Sequence, residues 1–361
     1  MATLTETAFY TRKGVKIFLG AIVGIFILRT LFGIGSSIWL ALFPPPPPPA
    51  TMAFGLLPKI KFPRTDVSTA AAKFSYQIET IDAKLPVFSR NLKVYFVPKV
   101  GSSFGKDDKM RAQATRMGFI AEPQKIFGEV DRWRFSDPAF PLRHLDYEAT
   151  LGFFSLYYDY SFDLNLFAGK SFPSQKDLVN MAKEYFGNLG LLSPDLAAGS
   201  TKVSYFKLAT NNLVPATSLF DADAVLTNVY RANIIEDKIS YPIVDADPKK
   251  ANVSILFSGS PDKNKKILEA NYTYFTVDYE NFATYPAITS AMAYEMLTSG
   301  QAYVASLPKD PGGQRISIRQ VYIGYFDAPQ VQNYLQPVVI FSDGKGFEAY
   351  IPAVNATLFA P

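Results

Sequence analysis

The sequence predicts an α+β protein: one N-terminal transmembrane helix, then tandem helix-plus-antiparallel-sheet units. Three observations predict it. Residues 17–43 are almost wholly apolar, six consecutive prolines follow from Pro44 to Pro49, and beyond them alternating strand patterns are interrupted by short helical ones. A length of 361 residues leaves room for roughly two domains outside the apolar run.

Taken in order, residues 1–16 form a short cytoplasmic tail and residues 17–43 the transmembrane helix. A spanning helix needs about 20 apolar residues, whereas the apolar core of a cleaved signal peptide runs to only about 7–15. The run is therefore expected to stay as a signal-anchor in the cell membrane. Arg12, Lys13 and Lys16 precede it and the next basic residue beyond it is Lys59. That asymmetry predicts a single-pass protein with a cytoplasmic N-terminus and an extracytoplasmic C-terminal domain. Arg29 interrupts the run, at a cost of about 2.5–3.5 kcal/mol for a mid-membrane arginine. It is expected either to pair with an intramembrane partner or to snorkel to the nearer interface. Gly20 and Gly24 make a GxxxG spacing that lets two helices approach closely. Gly20, Gly24 and Arg29 are thus the candidate membrane contacts, toward the bilayer and toward another membrane protein.

Residues 44–73 are expected as a proline-rich spacer, the oligoproline adopting stiff polyproline II. Its second half, MAFGLLPKIKFPRT, reads as an extended leader resting on the membrane face or on the folded domain. Residues 74–168 form a first α+β unit and residues 169–361 a second, with a break in both periodicities near Phe167–Pro173. The stretch from Arg132, RWRFSDPAFPLRHLDYE, resembles that from Ser254, SILFSGSPDKNKKILEANY, and FSYQIETIDAKLPVF resembles VSYFKLATNNLVPAT. Two matches in the same order point to a duplication. Helical patterns run from Lys106 to Met117 before Gly118, from a Ser174 cap with Asp177 in the capping-box position to Phe186, and from Thr289 to Ser299 before Gly300. Each is too short to be stable alone and must pack on a sheet.

The last 75 or so residues give a helix, then strands reading RISIRQVYIGYFDAP and YLQPVVIFSDGKGFEAYIPAV. Through Tyr322, Gly324, Tyr325, Tyr334, Leu335, Gln336, Pro337, Val338, Phe341 and Tyr350 this stretch resembles PepSY-like modules. It is similar above all to the membrane-anchored accessory regulators of a Gram-positive cell-wall sensor kinase. The resemblance implies a bacterial, non-catalytic protein acting through contacts in the membrane and outside it. The oligoproline and Arg29 depart from that pattern.

Chemistry is sparsely provided. With no cysteine there are no disulfides, thiolate metal sites or cysteine nucleophiles. One histidine, His144, stands near Asp146 and Glu148, with no nucleophile elbow. A net charge of +4 without a basic stripe gives no case for nucleic acid. Asp221/Asp223 and Asp245/Asp247 lack the further ligands of a calcium loop and read as turns. No cofactor is expected, and no catalytic or metal residue is assigned. Asn252, Asn271 and Asn355 stand in glycosylation sequons. Glu269, Glu280, Asp278 and Asp159 lie on or at the ends of aromatic-rich strands; paired carboxylates would suit glycan hydrolysis, but a half-solvated sheet alternates aromatic with charged residues as a matter of course. The candidate interaction surface is Tyr157, Tyr272, Tyr274, Tyr322 and Tyr325, since exposed tyrosine marks interfaces. The expected function is binding or regulation. An envelope carbohydrate-binding protein or glycan hydrolase, or a structural subunit of a membrane or surface assembly, is the alternative.

Overall fold

A computed structural model describes residues 4–42, 49–67, 69–99, 105–163, 165–308 and 315–360. The chain forms two units, Met1–Pro49 and Ala50–Pro361. The first is a single helix, Leu4–Leu42. Its segment Arg12–Trp39 is long and apolar enough to cross a membrane, as a retained anchor or a signal sequence would be. The helix starts well before the expected Ile17, because the tail carries no helix breaker between Leu4 and Lys16 apart from Gly14. Thr30, Ser36 and Ser37 turn their hydroxyls back onto the carbonyls of Phe26 and Gly33, so these three hydroxyls are satisfied within the helix. The polyproline expectation falls, but for Pro49, outside the described residues.

The second unit holds two main sheets. The larger has nine antiparallel strands in the order Gln124–Lys125, Arg132–Ser136, Arg143–Glu148, Phe153–Tyr158, Ile267–Tyr272, Val253–Ser258, Ala224–Val229, Thr201–Ala209 and Asn212–Pro215. Helices Lys106–Arg116 and Gln175–Asn188 cover one face. Met110 and Ala114 of the first and Leu178, Ala182 and Phe186 of the second share a core with Leu145, Phe154, Leu156 and Ile255 beneath them. Each helix precedes its own set of antiparallel strands, and the two sets join edge to edge where Phe153–Tyr158 pairs with Ile267–Tyr272. Residues on either side of 168 therefore share one sheet. The look-alike hairpins from Arg132 and Ser254 both lie in it, the first as strands two and three from one edge, the second as the two strands of its own set nearest the join.

The smaller sheet has seven strands built around Tyr334–Ser342. One side of that strand pairs with Gln320–Asp327. Its other side is shared, Val338–Ser342 pairing with Glu348–Pro352 and Tyr334–Leu335 with Asn91–Phe96. Helix Ser290–Thr298 packs Ala293 and Leu297 into the core on one face. Gly324 sits where its flanking chain segments crowd in from both sides of the same sheet: a Cβ there would lie 2.6 Å from Ile340 Cδ1 and 2.8 Å from the Pro242 carbonyl.

The leader covers the opposite face. Of its two expected resting places it takes the domain, so residues from Ala50 onward belong to the folded unit and not to a spacer. The Met52 amide donates to the Thr284 carbonyl at 3.0 Å, and Leu57 exchanges bonds with Leu358 and Ala360 at 2.9 and 2.8 Å. Leu57 is fully buried with Val94, Tyr285 and Val354. Gln336 donates to the Pro58 carbonyl at 2.9 Å, and Phe62 stacks on Tyr303 at 4.7 Å.

Candidate functional site

The face of the large sheet turned away from the two helices carries a row of polar residues, buried at Asn228 and Ser254 and more open toward Arg134. Gln124, Arg134, Asp146, Ser155, Asn271, Ser254, Asn228 and Lys202 are successive cross-strand partners over eight of the nine strands. The two-residue period of a strand explains how the sequence makes it. Asp146 stands between Leu145 and Tyr147, Ser155 between Phe154 and Leu156, Asn271 between Ala270 and Tyr272, and Ser254 between Val253 and Ile255. Those apolar neighbours all point into the core under the helices, which turns each polar residue to the other side.

The row is largely held by its own bonds. Arg134 grips Asp146 bidentately, Nε to Oδ1 at 2.7 Å and Nη2 to Oδ2 at 2.8 Å. Ser155 Oγ donates to Asn271 Oδ1 at 2.7 Å, and Asn271 Nδ2 donates to Glu269 Oε1 at 2.7 Å. Lys250 pairs with Glu269 at 2.6 Å. Asn228 bonds the carbonyl of Lys249 and the amide of Ala251. Ser254 Oγ is fully buried and has no hydrogen-bond partner among the described residues.

Two concavities open over this row. The first, about 510 Å³, is lined by Glu129, Arg132, Asp146, Glu148, Ser155 and Asn271, among others. The second, about 530 Å³, is lined by Pro63 and Thr65 of the leader, by Lys249, Lys250 and Asn252, and by Tyr303 and Ser306 of the small sheet. Asn271 and Thr273 line both, so the two concavities adjoin there as the two halves of a groove. In the first, Glu129 pairs with Arg132 at 2.7 Å. Glu148 makes no ion pair among the described residues, and burial raises its carboxyl above the usual range despite a bond from the Leu151 amide.

At the junction of the two sheets, the buried Arg231 holds three partners. Its Nε donates to Asp327 Oδ2 at 2.8 Å, its Nη1 to Asp195 Oδ2 at 3.0 Å, and its Nη2 to the Phe275 carbonyl. Its guanidinium lies 4.1 Å from the Tyr274 ring centre. Asp245 is the register partner of Asp327. Burial, with the charge of Asp327 beside it, lifts the Asp245 carboxyl well above the usual carboxylate range. Burial works the same way on Asp195, but bonds from Ser193 and the Arg231 charge outweigh it and hold that carboxyl low.

Each residue singled out in the sequence has a definite place. Gly20, Gly24 and Arg29 lie on the exposed N-terminal helix, with nothing within 4 Å of a Cβ built on either glycine. Tyr157 sits on the face of the polar row, its ring centre 5.2 Å from that of His144. Tyr272 and Tyr325 do not reach a surface: they are 7% and 1% exposed, the first under the Gln175–Asn188 helix and the second in the small sheet's core. Tyr274 donates to Asp195 at 2.8 Å, and burial pushes its hydroxyl up to about 12. Tyr322 is half-buried against the leader's side of the small sheet, with burial again pushing it up to about 12. Tyr272 and Tyr274 stack at 6.0 Å, while the other three lie apart, so the five make no common surface. His144 lies 3.5 Å from both Ser136 Oγ and Asp159 Oδ2. Both separations exceed the roughly 2.6–3.2 Å reach of a working nucleophile–base pair. The polar row and Arg231 were not foreseen. The row's signal is in the sequence, as single polar residues between apolar ones, but its continuity depends on strand register.

No protein-family model matches this chain. No curated protein does either. Among solved structures, the chain is similar to an uncharacterized protein from Eubacterium rectale ATCC 33656, at 11% identity over 76% of this chain and 85% of that one, with a TM-score of 0.39.

Proposed function

We propose that this is a non-catalytic, single-pass membrane protein whose extracytoplasmic domain binds and regulates a partner. In this reading the apolar helix is retained as an anchor with its N-terminus in the cytoplasm, and the C-terminal helix and meander form a PepSY-like module. The observation that carries the reading is the groove over the polar row. It is broad and open, and its polar side chains are held by one another, as a preorganised recognition surface requires. A glycan hydrolase would need a raised acid facing a free ionised carboxylate. Glu148 has the first property, but Asp146, two positions away on the same strand, turns both oxygens to Arg134. That geometry supports binding over hydrolysis.

The test is site-specific photocrosslinking in membranes, with the crosslinker at Thr273 in the groove and, as a control, at Lys207 on the large sheet's far strands. A discrete adduct formed from Thr273 and not from Lys207 is expected. No adduct from Thr273, or identical adducts from both, would overturn the reading.

A further inference from the structure

We propose that the groove takes a short extended peptide, its free amino group seated against Glu148 and its following residues running over Ser155, Asn271 and Thr273 into the second concavity. The inference deepens the binding reading and rests on it.

Charge chooses the ammonium end. In the first concavity Asp146 is gripped by Arg134 and Glu129 pairs with Arg132, which leaves the Glu148 carboxylate with no ion-pair partner of its own among the described residues, although Arg132 stands opposite it on the neighbouring strand. A ligand ammonium supplies that partner at a half-buried position, where such a bond is worth more than on the open surface. The second concavity carries both signs of charge and so offers no net attraction of this kind. Lys250 is paired with Glu269, while the Lys249 ammonium, 3.3 Å from the Leu307 carbonyl, and the Asp247 carboxylate, which accepts the Lys249 amide, have no ion pair among the described residues and are of opposite sign. Its walls include Pro63, Ala305, Leu307 and Pro329, which suit an aliphatic side chain.

Length follows from the sheet. Between the strand of Glu148 and the strand Val253–Ser258 lie Phe153–Tyr158 and Ile267–Tyr272, so the groove crosses three inter-strand spacings. At about 4.8 Å each this is about 14 Å, the reach of about four extended residues. The floor between the ends presents Ser155, Asn271 and Thr273, whose remaining donors and acceptors match peptide amides.

The experiment is calorimetric titration of the full chain in detergent with Ala-Ala-Ala-Leu amide, its N-acetylated form, and chitotetraose as an uncharged glycan of similar reach. Binding of the free-amine peptide is expected, with the acetylated form at least about tenfold weaker. Glu148→Gln is expected to erase that difference, and Thr273→Trp, which fills the neck between the concavities, to weaken the free-amine peptide while leaving the thermal midpoint unchanged. The acetyl comparison on the unaltered chain needs no variant, so a misfolded substitution does not decide the matter. Equal affinity for the free and acetylated peptides, no binding of either, or tighter binding of chitotetraose would overturn the inference. If a specific Thr273 adduct forms in membranes while both peptides fail, the inference falls and the binding reading stands. If neither is seen, both fall.

Discussion

Arg231 shows how much one side chain can fasten. It follows a strand of the large sheet, Asp327 ends a strand of the small one, and Asp195 opens a short helix. Removing the guanidinium would strand buried carboxylates, a loss of about 3–5 kcal/mol when one partner of a buried pair is deleted. Arg231→Met is therefore expected to lower the denaturation midpoint of the full chain sharply, measured by fluorescence in detergent. Asp245 gives the opposite sign. Its carboxyl is raised, so the folded chain holds a proton that the unfolded chain releases once pH passes the ordinary Asp value. Its contribution is then fully present at low pH and is lost as pH rises toward the raised value. Asp245→Asn removes that loss, so the thermal midpoint of the variant should gain on the wild type between pH 4.5 and pH 8. An unchanged difference across that range would show that the carboxyl is not protonated in the fold. At Glu148 the raised carboxyl faces Glu129, Arg132 and Asp146 in the groove, with Asp131 and Lys106 nearby. An ammonium ligand needs the ionised form, so affinity for Ala-Ala-Ala-Leu amide should fall as pH drops through the raised value. Affinity that is flat in pH would place the amine elsewhere.

At the scale of elements, the helices were the most legible. Ser174 Oγ accepts the Asp177 amide and Thr289 Oγ the Met292 amide, each at 3.2 Å, and Gly118 and Gly300 end their helices at φ of +89° and +81°. These are local events within a few residues, and local chemistry is written in order along the chain. Strand neighbours are not. Ser155 and Asn271 meet across 116 residues, and no local signal in either segment names the other. For the same reason the break near Phe167–Pro173 looked like a boundary, although the sheet passes across it. The tyrosines erred by parity: in the strand where Glu269 and Asn271 face out, Tyr272 has to face in. The leader is an element with no regular structure, yet it buries Leu57 completely. Leu57→Ala should cost about 2–5 kcal/mol. Limited proteolysis should then cut between Met52 and Phe62 faster than in the wild type; equal rates would mean that the strap is held by its backbone bonds alone.

For the whole molecule, the decisive property is that a long apolar helix and a folded domain share one chain. If the helix is an anchor, protein isolated from membranes should keep residues upstream of Arg12, as intact mass would show. Only soluble material beginning beyond Pro49 would reverse that reading. Arg29→Leu should leave insertion intact, since it removes a mid-helix charge. Loss of a co-purifying membrane protein from that variant alone would identify Arg29 as its contact.

The leader's fastenings come in a fixed order. Thr51 and Met52 are tied to Thr284, Leu57 to Leu358 and Ala360, Pro58 to Gln336, and Phe62 to Tyr303, and only then do Pro63 and Thr65 reach the groove. A tug arriving at Ala50 has to undo these moorings, and those of Phe54 on Tyr334 and Gly55 to Tyr285, in series before it moves that wall. Jostling upstream of Ala50 is thus spent on the rope, and the berth stays still.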